Sequence, residues 1–175
     1  MSPDSRRLRA ALGHFATGII IVTGRTNAGE RIGMTMNSFN SVSLDPPLVL
    51  FSIRKDALSL VNWQRNSYCA INVLSEDQQE LSNLFARSQA EKWKGITPVF
   101  GKTGVPLLPD VLVAFECEAY ARYDGGDHEI FVSRVVEIHD AHVKHGKPIL
   151  FFDGRYRQLA NVGTAHEPPS DIYGW

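Results

Sequence analysis

The sequence predicts a mainly β protein, an antiparallel barrel with a few packed helices, in one domain over residues 1–160. Three observations lead there. Short runs rich in β-branched and aromatic residues recur along the chain, bounded by Gly, Pro, Asn and Asp. Helical periodicity falls between only some of these runs, so the strand–helix alternation of a doubly wound parallel sheet is missing. Neither G-x-G-x-x-G nor G-x-x-x-x-G-K-[ST] occurs, so a nucleotide bound here is held without either loop. At 175 residues the chain can bury one full core without disulfide staples.

Leu8, Ala11, Leu12 and Phe15 recur at helical spacing, with Asp4 or Ser5 as cap, and predict an amphipathic first helix. Ser5-Arg6-Arg7-Leu8 partly resembles a twin-arginine signal. The apolar run behind it, Ile19 to Val22, is too short for a signal peptide or a membrane span, and a cytoplasmic location is expected. Gly18 to Thr23 reads as a strand, Asn27-Ala28-Gly29 as a turn, and Ile32 to Met36 as the returning strand. Asn37 to Ser43 is a polar segment, and Asp45-Pro46-Pro47 breaks the chain before a buried strand at Leu48 to Ile53.

Ala57 to Trp63 has helical character with Leu58, Val61 and Trp63 as inner face, and Tyr68 to Leu74 is a further strand. Ser75 and Gln78 stand at capping-box spacing, ahead of a helix that turns Leu81, Leu84 and Phe85 to the core. Glu91 to Pro109, broken by glycine and proline, predicts little regular structure. Val111 to Tyr123, the turn Asp124 to Asp127, Glu129 to Ile138 and Ile149 to Phe152 complete the strands. A polar, proline-containing tail runs from Asn161 to Trp175.

The net charge of −1 and the lack of a long basic run argue against nucleic-acid binding, and no membrane partner is expected. Cys69 and Cys117 lie in strand-like runs and read as reduced core thiols. No Cys/His cluster has metal-ligand spacing, so no metal is expected.

Three segments carry chemistry. Gly33 to Ser43 combines a glycine with hydroxyl and amide side chains able to grip phosphates or the polar edge of a heteroaromatic ring; the same composition serves a loop that satisfies its own turns. Ser52-Ile53-Arg54-Lys55, with Ser59 nearby, places two cations at a strand end, a phosphate receiver or a solvated terminus. His128 stands where a tight turn re-enters a strand, with Asp127 beside it.

Together these segments resemble the short-chain flavin reductase family, the reductase components of two-component flavin-dependent monooxygenases. The likeness rests on Phe15-Ala16-Thr17-Gly18, Gly33-Met34-Thr35-Met36-Asn37-Ser38-Phe39, Ser41-Val42-Ser43-Leu44-Asp45-Pro46-Pro47, Ala70-Ile71-Asn72-Val73-Leu74, Gly126-Asp127-His128 and Gly154-Arg155-Tyr156, in the family's order and spacing. It implies a split β-barrel of the FMN-binding type, usually a homodimer. The activity implied is NADH- or NADPH-dependent reduction of FMN or FAD, with reduced flavin passed to a partner monooxygenase.

It also implies residue roles. Arg31, Ile32, Gly33, Met34, Thr35, Asn37 and Ser38 contact the flavin ring and ribityl chain. Ser52, Ile53, Arg54, Lys55, Leu58 and Ser59 lie along its phosphate end. His128 is the residue beside the nicotinamide, with Pro148, Ile149, Leu150, Phe151 and Tyr156 near the nicotinamide nucleotide. Backbone N–H groups around Met34 and Thr35 are candidates to receive negative charge on the reduced ring. Many relatives carry an arginine where this chain has Leu84, which weakens a claim of FAD preference; Arg25, Arg31 and Arg155 are each candidates for a 2′-phosphate. The alternatives are a tightly bound flavin that reduces a ferric chelate, corrinoid or quinone, and a flavin-binding protein without catalysis.

Overall fold

A computed structural model describes residues 4–88, 91–140 and 146–160. Seven antiparallel strands form the main sheet in the order β3-β2-β6-β9-β10-β5-β4. Along the chain these are β2 (Ile20–Arg25), β3 (Arg31–Met36), β4 (Asn40–Leu44), β5 (Pro47–Arg54), β6 (Tyr68–Val73), β9 (Val113–Gly125) and β10 (His128–Asp140). Short strands β1 (Thr17–Gly18), β11 (Leu150–Phe152) and β12 (Arg155–Arg157) make a second sheet, and β7 (Val99–Phe100) pairs with β8 (Pro106–Leu107). The sheet does not close. Its two edges, β3 and β4, are consecutive in the chain and only Asn37, Ser38 and Phe39 join them.

Two hydrophobic clusters cover the two faces. Ile20, Val22, Phe51, Ile53, Trp63, Ile71 and Phe131 belong to one, and Ile19, Ile21, Ala70, Leu74, Phe85 and Ile149 to the other. β2 sends successive side chains to both, which is why its sequence runs apolar instead of alternating. Each of the fully buried Ile21, Ile71 and Phe85 contributes roughly 2 kcal/mol. Cys69 and Cys117 are buried free thiols paired in register across β6 and β9.

Helix α1 (Ser5–Leu12) is capped by Asp4, whose side chain accepts from Arg6 N. None of its residues is buried, and Phe15 beyond it is 78% exposed, so its apolar stripe meets no core in this chain. Helix α2 (Leu60–Arg65) starts later than its periodicity suggests and buries Leu60 and Trp63, while Leu58 and Val61 are exposed. The capping box forms as expected: Ser75 N donates to Gln78 Oε1 at 3.1 Å. It starts a 3-10 turn (Glu76–Gln78) that leads into α3 (Gln79–Ala86), which buries Phe85. The polar stretch after Ser38 is not all loop, since Asn40–Leu44 is an edge strand on β5.

The Gly101–Thr103 turn wraps a buried carboxylate on β9. Glu116 accepts from Lys102 N (2.9 Å), Thr103 N (2.7 Å) and Thr103 Oγ1 (2.5 Å), and His139 Nε2 lies 2.6 Å away. Burial alone would raise its pKa, but the bonds from Thr103, His139 and Lys102 hold it down at about 2. A Cβ at Gly101 would meet this carboxylate at 2.3 Å, so the turn admits only glycine there.

The tail from Asn161 to Trp175 lies outside the described residues.

Candidate functional site

The site forms where the two sheet edges come together. Leu74 N donates to Ile19 O, so Ile19 faces β6 and the next β2 residue, Ile20, faces β3. Alternation then turns the backbone of Met36, Met34 and Ile32 toward β2, and that of Thr35, Gly33 and Arg31 out from the edge. Gly33 O accepts from Lys92 Nζ at 2.9 Å, consistent with that assignment. Of the two N–H groups expected to face a reduced ring, Thr35 is therefore the outward one, and Met34 is spent on Val22.

Gly33 has no room for a side chain, because a Cβ would lie 2.4 Å from the Phe85 ring. Thr35 Oγ1 donates to Ser82 O at 2.7 Å, tying β3 to α3. Lys92 reaches Phe85 O at 2.8 Å as well, so one ammonium clamps the edge strand to the end of α3. Burial lowers its pKa.

The opposite flank is β5. Ser38 Oγ accepts from Ser52 N at 3.0 Å and donates to Ser52 O at 3.2 Å. Asn40 pairs with Leu50, so Ser38 stands at the next rung of the β4–β5 ladder, and its hydroxyl replaces the missing backbone pair. Beyond it, Lys55 N donates to Asp127 O at 2.9 Å and Lys55 Nζ meets Asp124 at 3.0 Å, while Arg54 pairs with Asp56 at 2.5 Å. The strand-end cations thus meet the β9–β10 hairpin tip. There His128 stands opposite Arg54, with Nδ1 2.7 Å from Asp127 Oδ1. The bond from His128, with its charge, lowers the Asp127 pKa. An ionised Asp127 accepts from Nδ1–H and leaves Nε2 for a ligand.

The remaining expected residues separate from His128. Tyr156 OH lies 2.8 Å from Ser82 Oγ and donates to Asn83 Oδ1 at 3.1 Å, and its ring packs edge-on against Phe151. Ile149 is buried in the second cluster, and Pro148 bridges to Ser75. Pro148–Phe151 and Tyr156 therefore belong to the α3 side, joined to Thr35 through Ser82. Ile53 is also buried, and its backbone faces β10 opposite Glu129 and is not available to a ligand, whereas Leu58 is 76% exposed.

A cavity of about 650 Å³ adjoins the β3 flank, lined by Arg31, Ile32, Gly33, Ser59 and residues 91–94. Arg31 lies over the Trp93 ring, 5.1 Å from its centroid, and Phe85 meets the same ring edge-on. Trp93 Nε1 is buried without a partner among the described residues. Leu84 packs on the second cluster and does not line the cavity. Lys92 and Trp93 escaped the sequence reading, although an aromatic between two lysines (Lys92-Trp93-Lys94) was a visible signal. Outward N–H groups on an edge strand, cations at a strand end and an unpartnered indole N–H suit a flavin, whose ring edge and phosphate are acceptors.

An open antiparallel barrel with its site across the split defines the class, and the comparisons supply the family. The flavin reductase like domain model matches residues 12–160, and the chain belongs to that family. FMN reductase (NADH) SmoA of Agrobacterium fabrum is 42% identical over 157 residues, 90% of this chain and 87% of that protein. A probable flavin reductase of Rhizobium meliloti is 43% identical over 132 residues, 75% of this chain but 42% of that protein's length. The structure of nitrilotriacetate monooxygenase component B from Mycobacterium thermoresistibile superposes with a TM-score of 0.89 at 30% identity, covering 97% of this chain and 94% of that one.

Proposed function

We propose that the protein is a flavin reductase that oxidises NADH and passes reduced flavin to a separate monooxygenase. The observation that carries this is the split itself: the Ser38–Ser52 bond joins the Arg31–Thr35 edge to the strand-end cations, in a chain of the flavin reductase-like family. NADH is the donor named for SmoA, and component B is named as part of a monooxygenase.

When bound, the flavin supplies the hydride acceptor. Thr35 N–H offers a donor to negative charge that develops on the ring. Arg54 and Lys55 exchange exposed carboxylate partners for a phosphate, a swap between weak surface pairs that suits a flavin which must leave. His128, oriented by Asp127, positions the nicotinamide through Nε2. Residues 1–160 form the reductase domain, in the cytoplasm. The exposed Leu8, Leu12 and Phe15, with Val42 and Leu44 on β4, favour a homodimer that covers them.

The test is NADH and NADPH oxidation by purified protein with FMN, FAD or no added flavin. Strong stimulation by free flavin is expected, together with a raised NADH KM in His128→Ala. Oxidation independent of added flavin, or none, would overturn the reading.

A further inference from the structure

Edge strand β3 has a backbone partner on one flank only, β2, so side-chain ties decide where its outward groups stand. Thr35 carries both kinds of group. Its N–H faces outward, and its Oγ1 donates to Ser82 O on α3 at 2.7 Å. Ser82 is fully buried, and its hydroxyl is spent on a residue far along the chain. Tyr156 OH donates its single proton to Asn83 Oδ1 at 3.1 Å, so its 2.8 Å contact with Ser82 Oγ is donated by Ser82. One phenol thus holds two consecutive residues of α3, at the point where Thr35 is anchored.

The phenol is itself held. On β12 it stands opposite Phe151, whose ring it meets edge-on. β11 pairs with β1, which leads into β2, the backbone partner of β3. The contacts therefore close a ring: β3, α3, Tyr156, the small sheet, β2 and β3 again. Without the phenol hydroxyl that ring opens. Ser82 Oγ then turns to the carbonyl one helical turn back, as serines inside helices do, and the Thr35 tie slackens.

We propose that Tyr156 is a positioning residue for flavin reduction: through Ser82 it fixes the Thr35 N–H against the ring that takes up negative charge. The proposal rests on the reductase reading. It puts Tyr156 to work on the flavin side, in place of the nicotinamide contact that the family resemblance implies.

The test compares whole-chain Tyr156→Phe, Ser82→Ala, Thr35→Val and Thr35→Ser with the double variant Tyr156→Phe/Thr35→Val. Affinities for oxidised FMN and for anaerobically reduced FMN are measured, with kcat, the NADH KM and Tm alongside. Tyr156→Phe should weaken reduced FMN about tenfold more than oxidised FMN, which lowers the potential of the bound two-electron couple by about 30 mV. It should lower kcat and leave the NADH KM within about twofold. Thr35→Val should reproduce this, the double variant should add nothing further, and Thr35→Ser should restore wild-type values. Ser82→Ala cuts the link while keeping the carbonyl that Thr35 uses, and it carries the test if Tyr156→Phe does not fold. Equal losses for the two redox forms, additive effects in the double variant, or a raised NADH KM at unchanged kcat would overturn the inference while leaving the reductase reading intact. Failure of the wild-type chain to bind FMN in either form would overturn both.

Discussion

Two polar clusters sit on this sheet, and they differ in what they leave unspent. Around Glu116 the account closes: a buried carboxylate takes three N–H and O–H donors from one turn and faces His139. Around Lys92 it stays open among the described residues, with one ammonium donor unspent, an exposed guanidinium beside a cavity and a buried indole N–H without a partner. Both clusters hold ionised side chains beside buried aromatic or apolar groups. A saturated buried charge fixes a turn, whereas surplus donors around a cavity offer themselves to a ligand. Burial of a charge therefore says less about function than the balance of donors and acceptors around it.

The strongest way to break this contrast is Glu116→Gln. An amide NH₂ would oppose donors that now meet oxygen, and the cost is on the order of 3 kcal/mol in denaturant unfolding. Flavin affinity of the folded variant stays unchanged. The pH dependence follows from the depressed pKa. With the folded value at about 2 and the unfolded value at about 4.3, the stabilisation is complete above the unfolded pKa and disappears as pH falls toward 2. Wild-type stability should show this loss and Glu116→Gln should lack it; parallel curves would mean the carboxylate does not hold the turn.

Gly33→Ala should have the next largest effect and act on the open cluster. Its Cβ must displace the Phe85 ring against which β3 and Lys92 are set, costing about 1–3 kcal/mol. Unlike Glu116→Gln, it should also weaken flavin binding, read by calorimetry; undiminished affinity would detach this edge from the site. The smallest effect is expected for Lys102→Ala. Lys102 Nζ forms an exposed pair with Glu137 at 2.6 Å, and only its backbone N–H serves Glu116. No resolvable shift in Tm is expected, and a clear fall would place the charge, not the backbone, at the centre of that cluster.

The strands over Gly18–Thr23 and Tyr68–Leu74 were legible because a cluster covers each face there, which writes apolar runs into the chain, and Leu48–Ile53 was legible from its apolar run although only Val49, Phe51 and Ile53 join a core cluster. The capping box at Ser75 and Gln78 was legible because it is local. The β4 strand was not: at an edge its exposed Asn40 and Ser43 have the composition of a loop, and pairing with β5 decides the matter. The phase of α2 failed because the helix starts at Leu60, which swings Val61 outward. At the site, Gly33–Ser43, Ser52–Lys55 and Gly126–His128 stood out as motifs. The Lys92–Trp93 pair did not, since its meaning comes from contacts with Gly33 and Phe85 across an irregular excursion.

The rung between Ser38 and Ser52 closes the split through a side chain instead of a backbone pair. A backbone rung opens only when a strand peels away and takes its neighbours with it. Here a single χ1 rotation of Ser38 releases both bonds, at a cost of about 1–3 kcal/mol, and no strand has to move. The Ser52 amide therefore exchanges with solvent through a side-chain rotation, at its intrinsic chemical rate reduced by the small open fraction, uncoupled from the unfolding of the barrel around it.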